Sequence, residues 1–215
     1  MLNTTRALII RLLVVALTGL TISLHAVASD ERTLLVFGDS LSAGYGIDES
    51  KSWVNLLASK LTHEGLAWRV VNASVSGETT TGGLSRLPAS LQASEPDLVI
   101  LELGGNDGLR GLPVNILKNN LGEMIELIQL AGAKVLLAGI QIPPNYGPRY
   151  TEPFFATYSE LSAEKDVPLV PFLIDGIPQQ SELMQDDGIH PVAEAQSIIV
   201  DNVWPYLEPM LQAPE

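Results

Sequence analysis

Four short segments carry the residue types of nucleophilic chemistry. The first is Leu34-Leu35-Val36-Phe37-Gly38-Asp39-Ser40-Leu41-Ser42, an apolar run that ends abruptly in a glycine, an acid and a serine. Such a run suits a buried strand, and ligands of an open parallel sheet sit outside the carboxyl ends of its strands. A serine at that edge, where a helix begins, is a candidate nucleophile with backbone N–H groups beside it. Ser40 or Ser42 has a second possible use, as the cap of that helix. A serine nucleophile needs a general base, and the chain has only His25, His63 and His190 to offer as histidines. His25 falls in an N-terminal leader described below, and His63 sits at the polar end of a helix candidate, where a solvated or capping role suits it. His190 remains, in Asp186-Asp187-Gly188-Ile189-His190-Pro191. Pro191 suits the first turn of the last helix and pushes His190 into an extended conformation. Asp187, three residues earlier, is placed to accept the ring N–H and fix the tautomer. A helix-capping Asp beside an incidental His is the competing use of this segment.

The third segment, Leu103-Gly104-Gly105-Asn106-Asp107-Gly108, has glycines that let the backbone bring an amide side chain close to a neighbouring loop. Asn106 can then donate towards Ser40. In Asn72-Ala73-Ser74-Val75-Ser76-Gly77-Glu78-Thr79, Gly77 can approach a ligand with its N–H. These donors, with the N–H of Ser40, have the composition of an oxyanion hole for acyl transfer. Taken singly, Asn106 also suits a turn and Gly77 a helix entry. Other chemistries have less support. There is no cysteine, and His63 and His190 are too far apart to suggest zinc ligands. The phosphate-cradling Gly-Lys-Ser/Thr loop, a G-x-G-x-x-G after the first strand, and the G-x-S-x-G of ordinary α/β-hydrolases are all missing. No cofactor and no metal are expected.

The elements that must position these residues follow an alternating plan. Short β-rich runs are expected as strands at Leu34 to Phe37, Trp68 to Asn72, Leu98 to Leu101, Lys134 to Gly139 and Pro168 to Val170. Amphipathic stretches between them predict helices over Trp53 to His63, Thr80 to Ala93, Val114 to Leu130 and Phe154 to Glu164, with a last helix from Val192 to about Leu207. In the third of these, Ile116, Leu117, Leu121, Met124, Ile125, Leu127 and Ile128 recur at the three- and four-residue spacing of a helix covering a sheet. Five βα units predict an α/β fold, a three-layer α/β/α sandwich on a flavodoxin-like five-stranded parallel sheet of order 2-1-3-4-5. That order brings the loops near Gly38, Ala73 and Glu102 around one crevice.

The first 28 residues differ from the rest. Arg6 and Arg11 are their only charges, Leu12 to Leu24 is almost wholly apolar, and Ala26-Val27-Ala28 offers a small-residue cleavage site. This composition predicts a signal peptide at 1–28 and a single domain at 29–215. As a helix, Leu12 to Leu24 spans only about 20 Å at roughly 1.5 Å per residue, short of a bilayer core of about 30 Å. An exported protein with no membrane span after cleavage is expected, periplasmic or secreted, with no disulfide. Removing Arg6 and Arg11 takes the formal net charge from −13 to −15. With no basic run, a nucleic-acid partner is not expected.

Gly38-Asp39-Ser40-Leu41, Gly77, Gly104-Gly105-Asn106-Asp107 and Asp187-Gly188-Ile189-His190-Pro191 resemble, in order and approximate spacing, the four sequence blocks of the SGNH (GDSL) hydrolases. The resemblance covers the whole chain after the leader. Ser42-Ala43-Gly44-Tyr45-Gly46 and Ser76-Gly77-Glu78-Thr79-Thr80 look like the periplasmic thioesterase, lysophospholipase and arylesterase group of Gram-negative bacteria. The resemblance implies Ser40 as nucleophile, Asp187 and His190 as its partners, and Ser40, Gly77 and Asn106 as the oxyanion hole. Asp39 is expected to organise the turn. The implied substrates are small acyl esters and thioesters, and a monomer is expected. Leu109, Leu112 and Pro113 after the Asn106 loop, with Ile142, Pro143, Pro144 and Tyr146 after the fourth strand, are candidates for an acyl groove. A polysaccharide acetylesterase and a non-catalytic lipid- or glycan-binding module are the competing functions.

Overall fold

A computed structural model describes residues 31–212, so the leader expected at 1–28 lies outside the described residues. Five strands, β1 (Arg32–Gly38), β2 (Trp68–Asn72), β3 (Leu98–Glu102), β4 (Lys134–Ala138) and β5 (Leu169–Val170), form one sheet. All pairings are parallel and the order is β2-β1-β3-β4-β5, as the βα alternation implies. β1 is buried from Thr33 onward and β3 throughout. Both faces of a parallel sheet are covered, so its central strands read as continuous apolar runs rather than alternating ones.

Among the described residues, seven α-helices accompany the sheet: α1 (Ser40–Ala43), α2 (Trp53–His63), α3 (Thr80–Ser94), α4 (Gly105–Leu109), α5 (Val114–Leu130), α6 (Pro148–Lys165) and α7 (Gln196–Gln212). α2 packs on α7, while α5 lies between α3 and α6, giving the two helical layers. In α5, Leu117, Leu121, Met124, Ile125 and Ile128 are buried, whereas Ile116 is exposed.

Three helical expectations need correction. Pro191 is not in the last helix: it pairs with Met184 in an isolated antiparallel bridge, and the chain passes through a 3-10 turn at Ala193–Ala195 before α7 begins at Gln196. α6 starts at Pro148, well before Phe154, and continues through Pro153; α7 contains Pro205 as expected but runs on past Leu207 through Pro209 to Gln212. Each internal proline is exposed, so the carbonyl deprived of its partner faces water and the usual cost is reduced. Finally, α4 arises where the glycine-rich segment suggested only a loop.

The register fixes the crevice. Val36 lies opposite Asn72 and Gly38 opposite Glu102, so the carboxyl ends of β2, β1 and β3 stand side by side. Since β1 turns back to β2 while β3 continues to β4, the loops after β1 and β3 diverge at a topological switch point.

Candidate active site

Ser40 opens α1 directly after β1. Asp39 caps that short helix by accepting the Leu41 N–H on Oδ1 at 3.1 Å. The His190 ring reaches Ser40 from the far end of the chain: Nε2 lies 2.8 Å from Ser40 Oγ. Its other nitrogen, Nδ1, lies 2.6 Å from Asp187 Oδ2. Asp187 Oδ1 accepts the N–H groups of Ile189 at 2.9 Å and His190 at 3.0 Å, so Asp187 organises the turn that carries His190. Partial burial pushes the Asp187 carboxyl up, but the bonds from His190 and these amides outweigh it and hold the group at about 2. Asp187 is therefore an anion at any ordinary pH. That favours a proton on Nδ1 and leaves Nε2 as the acceptor facing the serine hydroxyl.

The His190 turn is itself anchored. Gln185 donates its N–H to His190 O at 2.7 Å, and its side-chain amide reaches both Tyr45 O at 2.8 Å and Pro191 O at 3.0 Å. One glutamine thus ties the histidine turn to the loop after the serine. The Tyr45 ring, half exposed, lies against the imidazole with centroids 4.5 Å apart.

Asn106 is the second residue of α4. Its Nδ2 donates to Asp39 Oδ2 at 3.1 Å, placing the amide on the same turn as Ser40. Gly104, which caps α4, has φ +125°, and a Cβ there would meet the Tyr158 hydroxyl at 2.2 Å. A side chain at that position would therefore displace the segment that presents Asn106. Buried Asp107 holds the other side by accepting the Thr80 N–H at 2.8 Å and the Thr80 hydroxyl at 2.6 Å. Gly77 lies in the loop after β2, with its carbonyl accepting from Arg110 at 2.9 Å. Arg86 from α3 braces the same loop through Glu78 Oε2 at 2.7 Å and Ala73 O at 2.6 Å, and also reaches Gly38 O at 3.2 Å. Among the described residues, neither the Ser40 nor the Gly77 N–H is donated to another protein atom.

A cavity of about 490 Å³ opens beside Ser40 and Asn106. Its apolar wall includes Leu109, Ile140, Ile142, Phe172, Ile174 and Met184. Of the groove candidates named from the sequence, Leu109, Ile142, Pro143 and Pro144 line it, whereas Leu112, Pro113 and Tyr146 do not. Tyr146 turns its hydroxyl onto Leu109 O at 2.8 Å, and Leu112 O is held by Tyr150 at 2.6 Å, so these residues brace the loop instead. Phe172, Ile174 and Met184 escaped the sequence reading because they follow the two-residue strand β5, where no periodic pattern marks a wall. Among the described residues, no group of three or more His, Asp or Glu residues is arranged to hold a metal.

The pattern of the GDSL-like lipase/acylhydrolase family matches residues 36–198, which span all of the segments just described. The chain belongs to this family. Esterase TesA of Pseudomonas aeruginosa is 53% identical over 180 residues, covering 84% of this chain and 90% of that protein. Thioesterase 1/protease 1/lysophospholipase L1 of Escherichia coli K12 is 44% identical over 190 residues, covering 88% and 89%. Among GDSL-like folds of known structure, the psychrotrophic esterase EstA of Pseudoalteromonas, described as inhibited by monoethylphosphonate, superposes with a TM-score of 0.81. It is 41% identical and covers 85% of this chain and 100% of its own.

Proposed function

We propose that this GDSL-family chain is an exported serine hydrolase of carboxylic esters and acyl thioesters, acting through an acyl-enzyme on Ser40. The observation that carries the reading is the run of contacts from Asp187 through His190 to Ser40, set at the mouth of an apolar cavity. Ser40 Oγ attacks the acyl carbonyl carbon as His190 Nε2 takes its proton. The carbonyl oxygen becomes an oxyanion, for which the Ser40 N–H, the Gly77 N–H and the Asn106 amide are the donors. His190 then returns the proton to the leaving alcohol or thiol, and water repeats the cycle to release the acid. The cavity falls in the usual size range of ligand pockets, about 300–1,000 Å³, and favours a medium acyl chain over acetyl on a sugar. The names of the esterase and thioesterase relatives support the same substrate classes.

The test uses protein secreted from the full chain, whose N-terminus is expected at Ser29. Purified enzyme is assayed on aryl esters and acyl thioesters of increasing chain length, with Ser40→Ala alongside and an organophosphonate as label. Wild type should hydrolyse both classes and be labelled on Ser40, and the variant should fold but do neither. Labelling elsewhere, or near-normal turnover by Ser40→Ala, refutes the assignment. A wild type fastest on acetyl esters would favour the polysaccharide acetylesterase.

A further inference from the structure

The reaction as derived leaves one fully buried acid unused. Glu102 is the last residue of β3 and is 0% exposed. Its Oε2 accepts the Asp39 N–H at 3.1 Å and the Ser42 hydroxyl at 2.6 Å. These two donors bracket Ser40, one on each side in the chain. Gly38 is shaped around the same carboxyl, since a Cβ there would meet Glu102 Oε2 at 2.4 Å. The second oxygen, Oε1, has no hydrogen-bond partner.

We propose that Glu102 is a positioning residue that works as a neutral carboxylic acid, clamping the Asp39 N–H and the Ser42 hydroxyl so that Ser40 is held between them at the crevice. A buried oxygen that no donor approaches is the place for a proton, because an anion there would be unsolvated and unpaired. The surrounding groups offer no cation to offset such a charge. Asp39 is itself an acid, Tyr158 from α6 donates to Leu103 O, and Asp107 from α4 is engaged with Thr80. Arg86 from α3 spends its donors on Glu78, Ala73 and Gly38. Burial, and then the charge of Asp39, push the Glu102 carboxyl well above its ordinary range. Loss of its proton at alkaline pH would put a second negative charge beneath the position where the oxyanion forms. Turnover should then fall while substrate binding changes little.

The inference rests on the Ser40 hydrolase reading. Its test compares kcat and KM on a short aryl ester across neutral and alkaline pH for wild type, Glu102→Gln and Glu102→Leu. The infrared band of a protonated carboxyl group is recorded for wild type and Glu102→Gln at pH 7. Glutamine reproduces the neutral acid and should keep kcat within about threefold, whereas leucine removes the one oxygen that accepts both bonds and should lower kcat about tenfold or more with KM little changed. The infrared difference should show a protonated carboxyl band lost in Glu102→Gln, and any alkaline decline in wild-type kcat should be absent from that variant. If Glu102→Leu does not fold, Glu102→Gln decides alone. A glutamine variant with kcat reduced tenfold or more, no protonated band in the difference, or a folded leucine variant at wild-type kcat overturns the proposal. A wild type without esterase activity refutes the hydrolase reading instead.

Discussion

Asp39→Asn isolates the electrostatic cost of the turn that presents Ser40. Burial pushes the Asp39 carboxyl from 3.8 up to about 6, even though the Leu41 amide, the Asn106 side chain and His190 favour its charged form. A rise of about two pH units corresponds to about 3 kcal/mol at 1.36 kcal/mol per unit. The sign follows from linkage: a carboxyl with a raised folded value contributes its full stability below the unfolded value and loses it as pH rises through about 6. Since pH 4 already lies just above the unfolded value, the wild type should lose most, not all, of that amount between pH 4 and pH 8 through this one group. Asparagine keeps the cap and the side-chain volume but cannot ionise. Urea unfolding of both proteins at pH 4, 6 and 8 should show the variant gaining on the wild type as pH rises, by an amount approaching that figure. A stability difference that stays constant with pH, or moves the other way, would refute the reasoning. Activity is expected to move against stability, since the Asn106 amide loses its carboxylate acceptor.

The site carries three further expectations. Asn106→Ala should lower kcat by roughly 10² to 10³ with little change in KM, as for other lost oxyanion donors; steady-state kinetics showing an effect confined to KM would make Asn106 a binding residue only. Wild-type kcat/KM should rise with acyl length, because each buried methylene contributes about 0.8 kcal/mol. Four methylenes could give up to about two orders of magnitude at 1.4 kcal/mol per tenfold. A polar replacement in the wall, Ile174→Gln, should flatten that slope while sparing short esters, and an unchanged slope would move the acyl chain out of this cavity.

The parts of the molecule legible in the sequence are those fixed by strong local patterns. The five strands and α5 fall where apolar runs and helical spacing place them, and the order of the sheet follows from the βα alternation. The residues gathered at the crevice came from recognisable segments, each at a strand end or beside a proline. What stayed hidden depends on tertiary surroundings. Glu102 reads in sequence as an acid opening the loop after the third strand, and only its tertiary bonds to the Asp39 N–H and the Ser42 hydroxyl show that it is buried beneath the turn that carries Ser40. Pro153 and Pro209 lie just outside the helices expected from the sequence, because the exposure that makes an internal proline tolerable is not a local property. Leu112 and Tyr146 have the right apolar character for a groove, but which side of a loop faces a cavity is set by hydrogen bonds such as that from Tyr146 to Leu109 O.

The bridge between Met184 and Pro191 encloses both Asp187 and His190 in a loop closed on itself. The Asp187–His190 pair is therefore a self-contained cassette: its internal spacing is decided within a few residues, whereas its distance to Ser40 is decided by everything else in the domain. Partial loosening of the fold should leave the cassette's geometry nearly intact and open only the gap to the serine. Loss of turnover would then report undocking of a preassembled part rather than its collapse, and the Gln185 tether to Tyr45 is the contact whose failure would come first.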